Sequence, residues 1–138
     1  MPRCFALLTL LAAAACAAPA PADRAWVGQS ACRASASSGW SAWIEATPGS
    51  RPKLVATGEV ETPTGGYRIR WADMRVLESY PVQIVADLEI IPPSGGATQA
   101  VVTHTVRGEW PIDPPVGAFT VRCGDRVLAS IAPVASAR

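Results

Sequence analysis

The chain has 138 residues and a formal net charge of +1, and charged residues make up only 17% of it. That length holds one small domain with short tails. The near-neutral balance leaves no basic stripe for gripping a phosphate backbone, so nucleic acid is not expected as a partner.

The first residues, Met1-Pro2-Arg3, carry one positive charge, and Phe5 to Ala15 is an uncharged run rich in Leu and Ala. This is the layout of a secretory signal. The run is too short to cross a bilayer as a helix, which takes about 20 apolar residues. Ala13-Ala14-Ala15-Cys16 follows. It resembles the lipobox of bacterial lipoprotein precursors, with Ala13 where that pattern prefers Leu. The resemblance covers this segment alone. It implies cleavage before Cys16, a lipid on Cys16, and membrane attachment through that lipid. Ala17 directly after the cysteine resembles the pattern of lipoproteins passed on to the outer membrane, where the domain would face the periplasm. Ala17-Ala18-Pro19-Ala20-Pro21-Ala22 reads as a stiff tether. The expected layout is a signal at 1–15, lipidated Cys16 and tether at 16–27, a β-domain at 28–132 and a frayed tail at 133–138. Loss of residues 1–15 removes Arg3 and leaves eleven basic against eleven acidic residues. The alternative is ordinary signal-peptidase cleavage, since Ala15-Cys16-Ala17 and Ala20-Pro21-Ala22 both obey a small-x-small rule; the product would be a soluble periplasmic or secreted protein.

Of four cysteines, Cys4 falls in the signal and Cys16 at the cleavage site, leaving Cys32 and Cys123. Export to an oxidising compartment makes a disulfide between them the default. A metal or redox site fits poorly, because no C-x-x-C spacing occurs and the chain has a single His. No cofactor is expected.

From Cys32 onward, short runs alternate apolar and polar residues between turn signals. A brief strand is expected around Cys32, then a Ser/Ala/Gly stretch. Trp40, Ala42, Ile44 and Ala46 share one face of the next run, and Pro48-Gly49-Ser50 turns it. Lys53 to Thr62 forms a strand with Leu54, Ala56 and Val60 inward, closed by Pro63-Thr64-Gly65-Gly66. Tyr67, Ile69 and Trp71 alternate with Arg68 and Arg70, and the parity slips at Ala72-Asp73, which predicts a bulge there. Residues 82–91 carry the clearest alternation, with Val82, Ile84, Ala86, Leu88 and Ile90 on one side. Ala100, Val102, His104 and Val106 share the next face, and Phe119, Val121 and Cys123 the one after. Cys123-Gly124-Asp125-Arg126 reads as a hairpin turn into Val127, Ala129 and Ile131. Seven to eight short strands without a helix predict an all-β antiparallel sandwich of immunoglobulin-like character. A small antiparallel β-barrel is the alternative. The order Cys32, Trp40, Cys123 resembles the tryptophan-on-disulfide cores of immunoglobulin-like sandwiches.

No catalytic constellation is visible. Any triad must use His104, whose parity places it with the apolar face, and no G-x-S-x-G elbow occurs. Glu59 with Glu61, and Asp87 with Glu89, read as solvated strand faces. Five tryptophans remain: Trp26 lies near the tether, Trp40 and Trp71 fall in the apolar phase, Trp43 in the polar phase, and Trp110 in a connection. If consecutive strands run antiparallel, connections 48–52, 73–81 and 108–117 gather at one end. They bring Arg51, Arg75, Tyr80, Trp110 and Asp113 together as the candidate binding residues. The segment Trp110-Pro111-Ile112-Asp113-Pro114-Pro115 is stiffened by its prolines, and a stiff loop loses little entropy on binding. The expected function is that of a non-enzymatic envelope lipoprotein binding an envelope protein or polymer through these loops. The alternatives are a periplasmic enzyme inhibitor or chaperone-like protein and, last, a hydrolase using His104.

Overall fold

A computed structural model describes residues 31–113 and 115–137. The signal, Cys16 and the tether lie outside the described residues. Eight strands follow in order: β1 (Ala36–Glu45), β2 (Lys53–Thr62), β3 (Arg68–Leu77), β4 (Val82–Ile91), β5 (Val102–Pro111), β6 (Val116–Cys123), β7 (Arg126–Ile131) and β8 (Ala135–Ala137). They form two four-stranded sheets, ordered β5-β2-β1-β8 and β3-β4-β6-β7. Neither sheet closes on itself, so the domain is an all-β sandwich and not a barrel.

The clearest alternations in the sequence belong to strands inside the sheets. In β2, Leu54, Ala56, Val60 and Thr62 are buried, and in β4 Ile84, Ala86, Leu88 and Ile90 are. Both strands have neighbours on each side and one face against the opposite sheet. Phe119 and Val121 of β6 fill the space between them. Each large apolar side chain buried this way contributes about 1.5–3 kcal/mol relative to exposure.

The sheets are mixed. β4 and β6 pair in parallel, as do β1 and β8, and the other pairings are antiparallel. Parallel neighbours need a long crossover. Here β5 supplies it, leaving β4 for the opposite sheet before the chain returns as β6. At the C-terminus the chain leaves β7, switches sheets through residues 132–134, and continues as β8 beside β1.

Several local expectations are corrected. No strand forms around Cys32; the Ser/Ala/Gly stretch instead makes the first half of β1. A bulge between Ser38 and Ser41 lets it do so, with Gly39 at φ 64°, where a side chain would be strained. The tail past Pro133 is not frayed: Val134 is buried, its N–H donates to the Gly117 carbonyl at 3.3 Å, and β8 follows. Trp110 lies within β5, not in a loop. In β7 the phase slips opposite Val121 and Arg122, so Leu128, Ala129 and Ile131 meet the core while Val127 is exposed.

The expected bulge in β3 is present, between Trp71 and Asp73. Just before it, the Trp71 indole N–H donates to the Arg107 carbonyl of β5 at 3.0 Å, tying the edge strands of the two sheets together. Trp71 also meets Trp40 edge-on at 6.1 Å and Trp110 edge-on at 4.9 Å, and Trp110 leans on Phe119 at 5.7 Å. The row fits because β2 and β5 each offer a glycine there. A Cβ on Gly58 would overlap the Trp40 indole, and one on Gly108 would overlap Trp110 and Trp71.

Candidate functional site: a cleft at one pole of the sandwich

The strand registers define two poles. One gathers the start of β1, the ends of β2, β4 and β6, and the start of β5. The Cys32–Cys123 disulfide lies here, with a Cα–Cα distance of 5.0 Å. Arg126 pins the same corner by donating to the Ala34 carbonyl at 2.8 Å. The connections 63–67 and 92–101 meet here too, the Gly65 N–H donating to the Thr98 carbonyl at 3.1 Å.

The opposite pole gathers the connections 46–52, 78–81 and 112–115. Two backbone bonds lash them to each other and to the strands. Ile112 N–H donates to the Pro52 carbonyl at 3.0 Å, and Val82 N–H donates to the Pro115 carbonyl at 3.3 Å. The first of these brings Arg51 beside Asp113, whose carboxylate accepts a hydrogen bond from Nη2 at 2.7 Å.

Between these connections and the tips of β3 and β4 lies a cleft of about 310 Å³. Its floor is apolar: Met74 and Val76 from β3, Val82 and Ile84 from β4, and Pro111 and Ile112 from the end of β5. Arg51 and Asp113 are its charged residues. The volume is at the small end of the roughly 300–1,000 Å³ of small-molecule pockets. Apolar surface continues outward from it. Val76 is 56% exposed, and Tyr80, in the neighbouring connection, is 91% exposed.

The five candidate residues are thus distributed unevenly. Arg51 and Asp113 line the cleft together. Tyr80 stands exposed in the 78–81 connection. Arg75 belongs to β3, where alternation turns it outward from Met74 and Val76, and its guanidinium pairs with Asp87 of β4 at 2.7 Å. Trp110 packs into the aromatic row against Trp71 and Phe119 and does not line the cleft. The floor residues escaped the sequence reading because three separate strands supply them. Their signal was inward parity at strand tips, which marks core positions equally.

A second charged group lies on the outer face of the β5-β2-β1-β8 sheet. Lys53 Nζ donates to Glu109 at 2.9 Å and lies 3.5 Å from Glu45, while Arg107 bonds Glu109 at 2.7 Å. The Lys53 hydrogen bond first, then that of Arg107, holds the Glu109 carboxyl below the usual carboxylate range; the same bond to Glu109 raises Lys53. Arg107 also lies over the Trp43 ring, 5.8 Å from its centroid. Beneath this lattice Val55, on the outer face, is fully buried.

His104 is at the disulfide pole, its Nε2 lying 3.0 Å from Thr62 Oγ1. The Thr62 hydroxyl donates to the Thr64 carbonyl at 3.0 Å, so its oxygen accepts from the ring. Thr62 is fully buried. Closed to solvent and hydrogen-bonded, this hydroxyl joins the end of β2 to the start of β5. Among the described residues no three of His, Cys, Asp and Glu gather closely enough to hold a metal ion. Comparison with protein-family models, curated proteins and solved structures finds no match.

Proposed function

We propose that the chain is an exported, non-enzymatic binding module of the bacterial cell envelope, attached to the membrane by a lipid on Cys16, and that it holds an envelope protein or polymer at its cleft pole. The cleft carries this reading: an apolar floor with a charged rim, walled by short backbone-bonded connections. Such a site is preorganised, so binding orders little that is not already ordered. The disulfide supports export, since such bonds persist in oxidising compartments. The lipobox-like Ala13–Cys16 supports the anchor, and Ala17 directly after it supports an outer-membrane location. An inhibitor or chaperone would use the same pole. A hydrolase is disfavoured by the burial of Thr62, the hydroxyl that His104 holds.

Two measurements test the reading. Wild type and Cys16→Ser are made in a bacterial host and compared by intact mass and detergent partitioning. Acyl mass on the wild type, lost with detergent partitioning in the variant, is the expected result; two soluble proteins of equal processing refute the anchor. A photo-crosslinking residue is then placed at Val76, at Tyr80 or, as a control near the disulfide, at Val127. Adducts from the first two and none from the third are expected. Equal labelling at all three, or labelling at Val127 alone, refutes the cleft pole as the binding surface.

A further inference from the structure

The cleft offers three features that one ligand satisfies together. The first is the floor, whose volume of about 310 Å³ admits one or two apolar side chains. The second is Arg51. Its guanidinium has five N–H donors in a planar fork, and among the described residues it spends Nη2 on Asp113. That pair is exposed, with the Arg51 side chain 60% and the Asp113 side chain 84% accessible, so it contributes little. A second carboxylate can join the fork at the cleft mouth.

The third is the free edge of β3. This strand ends its sheet, with β4 as its only ladder partner among the described residues. The Met74 N–H donates to its own neighbour's Asp73 Oδ1 at 2.9 Å, which marks it as pointing away from β4. By the alternation of an antiparallel ladder, the N–H and C=O of Val76 point the same way. Among the described residues no strand lies beside β3 on that side, and Met74 and Val76 line the cleft there. An exposed strand edge of this kind is a template for another chain.

We propose that the cleft captures the C-terminus of a partner polypeptide: an extended segment adds to the β3 edge at Val76, its last apolar side chain enters the cleft, and its terminal carboxylate is held by Arg51. The inference rests on the cleft reading above and names the chemistry that reading leaves open. Strand addition gives affinity through the backbone, and the cleft and the guanidinium give selectivity for an apolar last residue with a free carboxylate. The charge complementarity is local. Floor residues carry no charge, and the mouth holds Arg51 paired with Asp113, so a ligand carboxylate must take the guanidinium donors that Asp113 leaves, on the side away from that carboxylate.

The test uses the disulfide-intact domain and the peptide acetyl-Thr-Val-Thr-Leu, with a free or an amidated terminus, followed by methyl NMR of Met74, Val76, Ile84 and Ile112. The free acid is expected to shift these methyls saturably at about 1 mM and to bind about fivefold tighter than the amide, the size of one exposed ion pair. Arg51→Gln, an exposed change whose spectrum reports intact folding, is expected to abolish that preference. N-methylation of the last two peptide bonds is expected to weaken the acid further by removing the β3 pairing. Equal binding of acid and amide to the wild type overturns the proposal. So does a preference that survives in Arg51→Gln, or octanoate binding as tightly as the peptide, which would make the cleft an acyl site. Crosslinking from Tyr80 does not depend on a carboxylate, so it separates failure of this inference from failure of the cleft-pole reading.

Discussion

Replacing both Cys32 and Cys123 with Ala should remove a large part of the domain's stability. Alanine is the right replacement because Cys123 is buried, and a serine hydroxyl there would add the burial of an unpaired polar group. The bridge spans a sequence separation of 91. For a loop of that length the chain-entropy relation gives about 15 cal/mol/K, or about 4.6 kcal/mol at room temperature. Loss of the sulfurs of buried Cys123 and half-buried Cys32 adds to this. A domain of this kind has a total stability of about 5–15 kcal/mol, so the variant should be marginal. Urea titrations of the oxidised wild type, the reduced wild type and the double variant read the effect. The midpoint should fall and the urea dependence should steepen in both bridge-free forms, because an uncrosslinked unfolded chain exposes more surface. The double variant should fall somewhat below the reduced wild type, which keeps its sulfurs in place. A loss below about 1 kcal/mol would refute the argument, and would mean that the reduced unfolded chain keeps the ends of the domain close.

Two further outcomes follow from the packing and the charges. Gly108→Ala pushes a methyl into the Trp110 and Trp71 rings and should cost about 1–3 kcal/mol in urea unfolding, whereas Gly95→Ala, with nothing within 4 Å of the new methyl, should be neutral; equal midpoints would refute the aromatic row as a tightly packed unit. The Glu109 carboxyl is held below its ordinary 4.5, so its contribution is present above that value and is lost as the pH falls through the lowered one. Glu109→Gln should therefore narrow the difference in urea midpoint between about pH 6 and about pH 3, and an unchanged difference would show that the Lys53–Glu109–Arg107 lattice adds nothing to folding.

The parts of the fold that sequence patterning reveals are those where one strand face is buried along its whole length. β2 and β4 are of this kind, and so is the parity slip at Ala72-Asp73, which the structure realises as a bulge. β8 is invisible for the opposite reason: Ala135-Ser136-Ala137 buries nothing, and the buried anchor of that segment is Val134 just before it. Trp110 was misplaced because Pro111 behind it looks like the start of a loop. Its parity with Val106 and Gly108 was nonetheless correct for an inward strand position, with glycine standing where a side chain would block the indole. Parallel pairing leaves no mark in a single chain, because a strand's own alternation is the same whichever way its neighbour runs. The cleft shows the same limit. Arg51 and Asp113 could be singled out by their position in connections, but their 2.7 Å contact depends on the Ile112–Pro52 backbone bond, and the floor beneath them on three strands meeting.

The position of the disulfide also sets how the domain carries mechanical load. Tension on the chain ahead of Cys32, pulling away from a partner gripped at the far pole, would reach β1 at its first residues and peel it from β2 one hydrogen bond at a time. The bridge intercepts that force. It passes the pull across to Cys123, at the end of β6, an interior strand of the opposite sheet flanked by β4 and β7. Loaded along its length, β6 resists in shear, with its flanking ladders strained together instead of in sequence. The domain is therefore reinforced along the line from Cys32 to the cleft pole, and under a pull applied at Cys32 it should hold until the covalent link or the β6 ladders fail.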